Sequence, residues 1–386
     1  MDRGVGAERQ SPLETVQWEL TRRCEQLCQL CFLSDSERSS EQLSTEECLR
    51  VVDELAAMDV QHVHLFGGEA HLRSDYLEIL EAVASKGINV ALTSGSPRFP
   101  IDEVARVAGD KISHVMLSID GLEATHDELR NCPGSFSGIL SILEKVRSHD
   151  IPCGVSTQVN RRNLRELKTL TRLLFMMGIR LWHTQITEPF GRARSHFDKV
   201  LQPYELPNVV EILVSIKQEA LRQGISIKLG NNIGYNTDSI RWLREDDNGV
   251  DATGCKQGLT YLAIQADGTI KGCASCASGI GTCQSNIRTT SLREIWNRNE
   301  EFDWTRNRSA ARLWGYCGEC EHGESCYGGC VQTSQALFGR PGNNPYCGFR
   351  VHQLAAKGVR ERVDIDEQKQ LHVTQEAVPG DDGAQE

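Results

Sequence analysis

The sequence lacks the features that would assign the protein to a membrane, a secretory route or a nucleic-acid complex. No run approaches the roughly 20 apolar residues that span a bilayer, and the longest, near 173–178, is too short. Residues 1–14 are polar and mixed in charge, without the apolar segment of a signal peptide. Positive charge is also scarce, because the formal net charge is -11, and such a surface repels phosphate backbones. We therefore expect a cytoplasmic protein with no membrane and no nucleic-acid partner.

Cysteine, in contrast, is abundant, with 15 residues in a chain of 386. A cytosolic protein keeps its thiols reduced, so metal ligation is the leading explanation for this number. Three cysteines lie together at Cys24, Cys28 and Cys31, and nine fall between Cys255 and Cys347. The remaining three are scattered along the chain, at Cys48, Cys132 and Cys153. We predict that these three are small, buried hydrophobic residues.

Short β-branched segments alternate with amphipathic helical patterns from about residue 15 to 230. The predicted strands are 15–21, 62–66, 89–93, 114–119, 154–159 and 180–186. The predicted helices are 45–58, 75–86, 101–108, 136–149, 164–177 and 206–224. Such alternation is typical of a parallel sheet covered by helices. The predicted fold class is therefore α/β, with six units forming a partial (β/α)6 barrel of the TIM type.

Composition divides the chain into five predicted segments. They are an N-terminal extension at 1–14, the partial barrel at 15–235, a linker at 236–253, a cysteine-rich domain at 254–350 and a C-terminal segment at 351–386. The cysteine-rich domain shows helical periodicity only at 291–297, so turns and metal ligands are expected to supply most of its structure. We expect the last segment to begin as a helix and to end, after Leu371, in an acidic disordered tail.

Chemically distinctive residues follow the first four predicted strands. Cys24 comes after the first strand, Gly67 after the second, Ser94 after the third and Asp120 after the fourth. Active sites of parallel barrels lie where strands end and loops begin. The sequence therefore predicts that these residues meet at one edge of the sheet.

The spacing Cys24-x3-Cys28-x2-Cys31 favours a particular metal centre. Three thiolates cannot complete a tetrahedral structural zinc site without a fourth ligand. Three can hold three irons of a four-iron cluster and leave the last iron open for a substrate. A zinc site completed by a distant histidine is the alternative.

At these cysteines the chain resembles the radical S-adenosylmethionine (SAM) superfamily, whose Cys-x3-Cys-x2-Cys signature follows the first barrel strand. The resemblance implies that Cys24, Cys28 and Cys31 are the catalytic cluster ligands and that the open iron chelates SAM. It also implies an oxidoreductase in which the reduced [4Fe–4S] cluster cleaves SAM to methionine and a 5′-deoxyadenosyl radical. That radical abstracts a hydrogen atom from the substrate, which requires a low-potential site with little water.

Further segments resemble the SAM-binding motifs of this superfamily. Gly-Gly-Glu at 67–69 resembles the motif that bonds the ammonium group of SAM, although Ala70 replaces the usual proline. The segment 118–121 resembles the Ser-x-Asp-Gly of the peptide-modifying branch. The resemblance implies these cofactor-binding residues: Gly67, Gly68, Glu69, Ser94, Ser118, Asp120, Arg130 and Asn160. For Arg130 the alternative is a surface helix arginine, and for Asn160 it is a turn asparagine.

The later cysteines resemble a SPASM domain, which holds two auxiliary [4Fe–4S] clusters. The resemblance assigns Cys255, Cys273 and Cys330 to the inner cluster, and Cys317, Cys320, Cys326 and Cys347 to the outer one. The inner cluster lacks an obvious fourth ligand. Cys276 or Cys283 could supply it, or one iron could be open to substrate; we favour Cys276. A pair of structural zinc sites is the alternative.

Two other groups of residues have less specific patterns. His62 and His64 alternate with Val63 and Leu65 along a strand, and we interpret them as structural rather than as ligands. The loop at 190–194 contains two arginines, which fits either an acidic substrate or a solvated loop.

The resemblance to the SPASM branch implies a maturase that modifies a ribosomally made precursor peptide, by cross-linking, thioether formation, epimerisation or a similar change. It also implies an electron donor such as flavodoxin or ferredoxin. Only about fourteen residues precede the first strand, so a leader peptide would bind the barrel, the second domain or a separate leader-binding protein. The alternatives are formylglycine formation in a sulfatase, dehydrogenation or epimerisation of a sugar-like metabolite, and a non-catalytic electron-transfer or zinc-binding scaffold.

Overall fold

A computed structural model describes residues 11–32, 41–245, 255–275 and 285–379 of the chain. Its strands are β1 Thr15–Glu19, β2 His62–Phe66, β3 Asn89–Ser94, β4 Ile112–Ser118, β5 Cys153–Val159, β6 Leu181–Ile186, β7 Ser226–Leu229, β8 Tyr261–Ile264, β9 Ile270–Lys271, β10 Val359–Ile365 and β11 Leu371–Ala377. Its helices are α1 Thr45–Ala57, α2 Tyr76–Ser85, α3 Ile101–Ala108, α4 Glu123–Arg130, α5 Ser135–Ser148, α6 Leu167–Met176, α7 Leu206–Leu221, α8 Asp238–Arg244, α9 Leu292–Asn297, α10 Asp303–Arg306, α11 Gly323–Cys326, α12 Val331–Phe338 and α13 Gly348–Ala355.

One sheet organises the molecule, with strand order β7-β6-β5-β4-β3-β2-β1-β8-β9. The first seven strands lie side by side in chain order and are all parallel, as right-handed β–α–β connections produce. The carboxyl ends of these strands therefore meet at a single edge. The α/β class and the partial-barrel character predicted from sequence are confirmed.

Each predicted strand and helix of the barrel is present, with ends shifted by up to three residues. Helix α1 shows why the sequence specifies these elements so well. The Ser44 hydroxyl accepts a hydrogen bond from the Glu47 amide, and the Glu47 carboxylate accepts one from the Ser44 amide. This reciprocal cap satisfies two amides that the first turn leaves unpaired. The buried residues Cys48, Val51 and Leu55 then follow the helical period.

Two fully buried tryptophans on strands of the sheet mark the core. Trp18 on β1 and Trp182 on β6 are fully buried, and the Trp182 indole donates a 2.9 Å hydrogen bond to the Thr157 hydroxyl. Of the three scattered cysteines, Cys48 is buried as predicted. Cys132 and Cys153 are only half-buried: Cys132 lies in the turn between α4 and α5, and Cys153 is the first residue of β5.

The second domain is more closely joined to the barrel than the sequence suggested. Strand β8 lies parallel to β1 and pairs Thr15 with Tyr261 through Trp18 with Ile264. Strand β9 then returns antiparallel to β8 and forms one edge of the sheet. The first hairpin of the domain is therefore anchored to the core, and the short helices α10, α11 and α12 lie outside the one segment of predicted helical periodicity, 291–297. Within the predicted linker, α8 is a helix capped by the Thr237 hydroxyl.

The C-terminal segment corrects another expectation. It begins with α13, as predicted, but Leu371–Ala377 form strand β11 rather than part of a disordered tail. Strand β11 pairs antiparallel with β10. Along β11, exposed side chains mostly alternate with partly buried ones, as expected when one face of a hairpin contacts solvent. The net charge of the segment does not reveal this pattern.

Candidate cluster and cofactor site

The three cysteines of the first motif lie on the loop between β1 and α1, at the carboxyl edge of the sheet. All three line one cavity of about 210 Å³. Backbone contacts hold the loop from both sides: the Gln29 amide bonds the Leu129 carbonyl at 2.8 Å, and Arg192 bonds two carbonyls of the cysteine loop. The loop is thus fixed by the segments that follow β4 and β6.

Gly67 and Gly68 line the same cavity, and their lack of a side chain also allows a close contact with the cysteine loop. A Cβ atom on Gly67 would overlap the carbonyl oxygen of Thr21, and one on Gly68 would overlap that of Arg23. The Gly68 amide instead donates a 2.7 Å hydrogen bond to the Thr21 carbonyl. The glycines therefore allow the loop after β2 to pack directly on the cysteine loop.

Glu69 is a buried carboxylate at the wall of this cavity, and only 4% of it is exposed. It accepts hydrogen bonds from the Ser94 hydroxyl at 2.5 Å and the Gly95 amide at 2.8 Å. His71 Nδ1 lies 3.5 Å from the carboxylate oxygen that accepts the bond from Ser94. Ser94 thus reaches the cavity and also orients Glu69, which links the ends of β2 and β3.

Asp120 and Arg130 form a buried ion pair that lines the same cavity, with 2.6 Å between their nearest charged atoms. A second arginine nitrogen lies 3.9 Å from the Cys28 sulfur. Burial lowers the pKa of Arg130, but the charges of Asp120 and Cys28 outweigh it, so the net pKa is raised. Arg130 is therefore a permanent cation beside the cysteine loop and not the surface arginine weighed as an alternative.

The structure brings together all but one of the residues predicted to bind SAM. Ser118 lines the cavity, as do the two glycines, Glu69, Ser94, Asp120 and Arg130. Asn160 does not line it. Its side chain caps the loop after β5 by accepting from the amides of Arg162 and Asn163, which is the turn role weighed as the alternative.

Sequence reasoning missed several polar residues of the cavity wall. They are Gln26, Ser156, Gln158, Gln185 and Ser275, and Arg192, from the loop at 190–194 that was considered for an acidic substrate, lines the cavity as well. Gln158 and Gln185 occupy inward positions of β5 and β6, where polar residues in an otherwise apolar strand were the available signal. Ser275 comes from the second domain, and no local pattern connects it with the barrel.

A second group of four cysteines forms the candidate outer cluster site. Cys317, Cys320, Cys326 and Cys347 line one small cavity, in the combination that the SPASM resemblance assigned. Gly328 and Gly329 adopt positive φ angles of 79° and 73° beside them, which lets the backbone turn tightly around the site. Burial raises the pKa of Cys347 to about 12, so its thiolate form requires a bound cation.

The three cysteines assigned to the inner cluster interact with one another electrostatically. Burial, followed by the charge of Cys273, raises the pKa of Cys255 to about 11. Burial, then Glu188 and Cys255, raises that of Cys330 well above its ordinary value. Cys276 and Cys283, considered for the fourth position, lie outside the described residues.

Glu188, which no sequence pattern indicated, is the carboxylate nearest to the inner group of cysteines. It follows β6, is half-buried, and accepts hydrogen bonds from the Thr333 hydroxyl and, at 3.8 Å, from the Cys330 thiol. Burial raises the pKa of Glu188 to about 7, although the bond from Thr333 opposes this shift. It joins the barrel to the second domain at that point.

The arrangement of the cysteines fits iron–sulfur clusters better than zinc. Among the described residues, no three histidine, cysteine or carboxylate side chains converge closely enough to hold a single metal ion. A cluster places several irons and sulfides between its thiolates, so the thiolates surround a larger space. None of the 13 described cysteines is in a disulfide.

Comparison with known families agrees with this geometry. The radical SAM superfamily matches residues 18–174, and an iron–sulfur cluster-binding domain of the SPASM type matches residues 255–321. The chain carries a radical SAM domain followed by a SPASM domain. These two domains imply [4Fe–4S] clusters and SAM as cofactors, and they make the chain a radical SAM enzyme. In the described part, no helix is both long and apolar enough to cross a membrane.

Several curated proteins are similar to this radical SAM/SPASM chain over most of their length. The AdoMet-dependent heme synthase of Methanosarcina barkeri is 29% identical over 87% of this chain and 96% of its own. The mycofactocin maturase MftC of Mycolicibacterium smegmatis is 25% identical, covering 86% of this chain and 81% of its own. The PqqA peptide cyclase of Rhodopseudomonas palustris is 26% identical, with coverage of 83% and 82%.

Solved structures share the fold. SuiB of Streptococcus suis bound to S-adenosylmethionine superposes with a TM-score of 0.67 at 14% identity, over 88% of this chain and 78% of that one. The anSMEcpe enzyme with bound AdoMet and Kp18Cys peptide gives a TM-score of 0.69 at 15% identity, over 90% and 97%. Both place the same barrel and C-terminal domain in one chain.

Proposed function

We propose that the enzyme is a maturase that modifies a ribosomally made precursor peptide by radical chemistry. The bound cluster and SAM would together supply a 5′-deoxyadenosyl radical able to take a hydrogen atom from an unactivated carbon. Relatives named as a mycofactocin maturase and as a peptide cyclase support the peptide substrate. The modification would be a cross-link, a thioether, an epimerised centre or a similar change.

The residues around the first cavity would divide the binding of this cofactor among them. Cys24, Cys28 and Cys31 would hold the cluster and leave one iron for SAM. Glu69, which is held in place by Ser94 and the Gly95 amide, would pair with the ammonium group. Arg130 would bind the carboxylate of SAM, and Asp120 would keep its guanidinium oriented until then.

The observation that carries the proposal is the continuity between this cavity and a wider one beneath it. The two share the lining residues Phe32, Phe66, Thr93, Ser156, Gln185 and Ser275. The wider cavity has a volume of about 440 Å³, enough for a large side chain of a peptide. A substrate carbon entering there would lie next to the proposed cofactor site while the rest of the peptide stayed outside.

The second domain would serve electron transfer in this scheme. Its outer site is built from four cysteines and is therefore fully ligated, as suits a cluster that only exchanges electrons. The inner site would lie next to Glu188, where the second domain contacts the barrel. We propose flavodoxin or ferredoxin as the electron donor. A leader peptide, if one is needed, would bind the barrel, the second domain or a separate protein.

Iron analysis and turnover test the cofactor part of this proposal. Anaerobically reconstituted enzyme should contain about twelve irons per chain, for three four-iron clusters. The triple substitution Cys24→Ala, Cys28→Ala and Cys31→Ala should remove about four of these irons and abolish 5′-deoxyadenosine formation. Cys153→Ala, at the start of β5, is the matched control and should retain both. Zinc in place of iron would contradict the proposal and would favour the scaffold alternative.

Incubation with candidate substrates tests the peptide part. With dithionite and SAM, a precursor peptide encoded next to the enzyme's gene should change in mass as 5′-deoxyadenosine accumulates. SAM cleavage without any change in the peptide would argue against a peptide maturase. A sulfatase-derived peptide and a sugar-like metabolite, incubated in parallel, would report on the two enzymatic alternatives.

A second candidate is the modification of a tetrapyrrole. The similarity to a heme synthase that is aligned over 96% of its length favours it. Incubation with a propionate-bearing tetrapyrrole under the same conditions separates the two candidates, since only one of the two substrates should change in mass.

A further inference from the structure

The inner face of the sheet is polar where most parallel barrels are filled by branched apolar side chains. Inward positions on four different strands carry His64, His114, His183 and Lys228, and these side chains line the wider cavity. We call this set the histidine–lysine pocket. A barrel that needed only a stable core would place leucine, isoleucine or valine at these positions, because polar groups left without partners there are costly.

Strand register brings the members of the pocket together. His183 pairs with Ser156 on one side and with Lys228 on the other, so these three side chains form a row across β5, β6 and β7. On the other half of the sheet, His64 and His114 each pair with Ala91 of β3. The small alanine between the two histidines leaves open space in front of their rings.

Each histidine ring uses one nitrogen for the protein and leaves the other for a ligand. His64 Nε2 lies 2.6 Å from the Thr93 hydroxyl, and His183 Nδ1 lies 3.4 Å from the Ser156 hydroxyl. His114 Nδ1 lies 3.2 Å from the Ser113 hydroxyl. Within the described part of the chain, the second nitrogen of each ring has no protein partner and is not sealed from the cavity.

The described lining of the pocket carries one positive charge and no negative charge. Burial lowers the pKa of His64 to about 4, and it lowers those of His114 and His183 as well, so the rings are neutral hydrogen-bond donors or acceptors. Lys228 is exposed at the mouth and has no carboxylate partner among the described residues. The described lining includes no aspartate or glutamate. One cation surrounded by neutral donors matches a group with a single negative charge.

We propose that the histidine–lysine pocket binds a carboxylate of the substrate and thereby presents the adjoining carbon to the cysteine loop. This inference rests on the proposed function and specifies the chemistry of its substrate. A phosphate is less suitable, because it carries close to two charges and the described lining contains no arginine to pair with it. The carboxylate could belong to a peptide or to a tetrapyrrole propionate, and its recognition would be the same.

Binding of simple probes tests the inference without turnover. Reconstituted holoenzyme is titrated with 3-phenylpropionate and with 3-phenylpropionamide, which has nearly the same shape but no charge, and binding is followed by calorimetry or ligand-observed NMR. The acid should bind at least about tenfold more tightly than the amide, as expected for hydrogen bonds to a charged group. Equal affinity of the two would overturn the inference.

Substitutions locate the binding. Lys228→Met and His183→Phe should each reduce the affinity for 3-phenylpropionate by about tenfold and leave the weak affinity for 3-phenylpropionamide unchanged. Lys168→Met removes an exposed lysine from the outer helix α6 and is the matched control, with unaltered affinity for the acid. Iron content and circular dichroism verify that each variant is folded. Acid binding that survived both pocket substitutions would overturn the inference.

Paired substrates identify the source of the carboxylate. A peptide with a free C-terminus is compared with its C-terminal amide, and a propionate-bearing tetrapyrrole is compared with its methyl ester. In the pair that contains the natural source, only the free acid should bind tightly. These titrations need neither SAM nor a reductant, so they remain informative if the enzyme fails to modify a peptide. Modification of acid and amide at equal rates would overturn this inference alone.

Discussion

At the scale of single residues, His126 shows how a side chain outside the cavity supports the site. Its Nδ1 accepts a 3.1 Å hydrogen bond from the Asp120 amide, and its Nε2 lies 3.2 Å from the Ser135 hydroxyl. Only a ring without a proton on Nδ1 can accept that bond. Burial, followed by the charge of Arg130, lowers the pKa of His126 to about 4, which keeps the ring neutral.

This lowered pKa predicts sensitivity to acid. In the unfolded chain His126 takes up a proton near the ordinary histidine pKa of 6.5, whereas in the folded chain it does so only near pH 4. Protonation therefore favours the unfolded state, and the protein loses stability as the pH falls from about 6.5 to about 4. The free energy of unfolding should therefore decrease by up to about 3 kcal/mol from this residue. In denaturant titrations at pH 7 and pH 4.5, His126→Asn should show a smaller difference than wild type. The exposed His352→Asn is the control, and an unchanged pH dependence in His126→Asn would contradict the argument.

Gly68 is a second residue whose effect reaches the cysteine loop. Because a Cβ there would overlap the Arg23 carbonyl, Gly68→Ala should displace the loop and reduce iron binding at the first cluster. We expect about four irons fewer per chain after reconstitution, measured together with sulfide. Gly87→Ala is the control, because a Cβ at Gly87 would meet open space. It should lower the free energy of unfolding by only roughly 1 kcal/mol, owing to the positive φ angle, and the variant should keep its full iron content. Full iron content in Gly68→Ala would refute the expectation.

At the scale of elements, the β10–β11 hairpin is attached to the molecule by buried polar contacts. Gln202 exchanges two hydrogen bonds with the backbone of Val363, at 2.8 and 2.7 Å. Arg350 on α13 pairs with Glu361 on β10 at 2.5 Å, and both side chains are less than 5% exposed. The hairpin is therefore fixed to the second domain and to the segment before α7.

The two ion pairs of this hairpin predict a contrast. Glu361→Gln would leave the Arg350 charge buried without its counterion, which typically costs about 3–5 kcal/mol. Glu376→Gln would break the partly exposed pair with Arg360, which should cost about 0–1 kcal/mol. Urea denaturation of both variants measures the difference. Equal destabilisation would show that burial does not distinguish the two pairs.

At the scale of the whole molecule, the two domains share one sheet. Leu262 and Ile264 of β8 are fully buried, and Ala266 donates a 3.3 Å hydrogen bond to the Glu19 carboxylate of the barrel. Removal of the second domain would expose the edge of β1 along with the apolar surface beside it. Exposed strand edges of this kind promote aggregation.

This sharing predicts that the barrel does not fold well alone. A fragment comprising residues 1–245 should be mostly insoluble or aggregated in size-exclusion chromatography, whereas the full chain should remain monodisperse. Co-expression with a fragment that begins at residue 246 should recover soluble material, because β8 can then pair with β1 again. A monomeric barrel fragment as stable to heat as the full chain would contradict the prediction.

The sequence alone predicted the parallel sheet, the helices that cover it and many of the residues that line the first cavity. In a parallel sheet with its strands in chain order, the residue after each strand must lie at the same edge. Cys24, Gly67, Ser94 and Asp120 therefore meet for a reason that is already present in their order along the chain. The four cysteines of the outer site lie close enough in sequence for a motif to group them.

Only the tertiary structure determined how distant segments meet. Strand register and domain packing determine three such features. They are the pairing of β8 with β1, the position of Glu188 beside Cys330, and the row of side chains from Ser156 to Lys228. Such contacts join residues that are far apart in the chain, and no local periodicity encodes them. His64, interpreted from its strand as structural, lines a cavity because its neighbours on other strands are small or polar. The side chains on neighbouring strands determine whether an inward residue packs in a core or lines a cavity, and the alternation within its own strand does not.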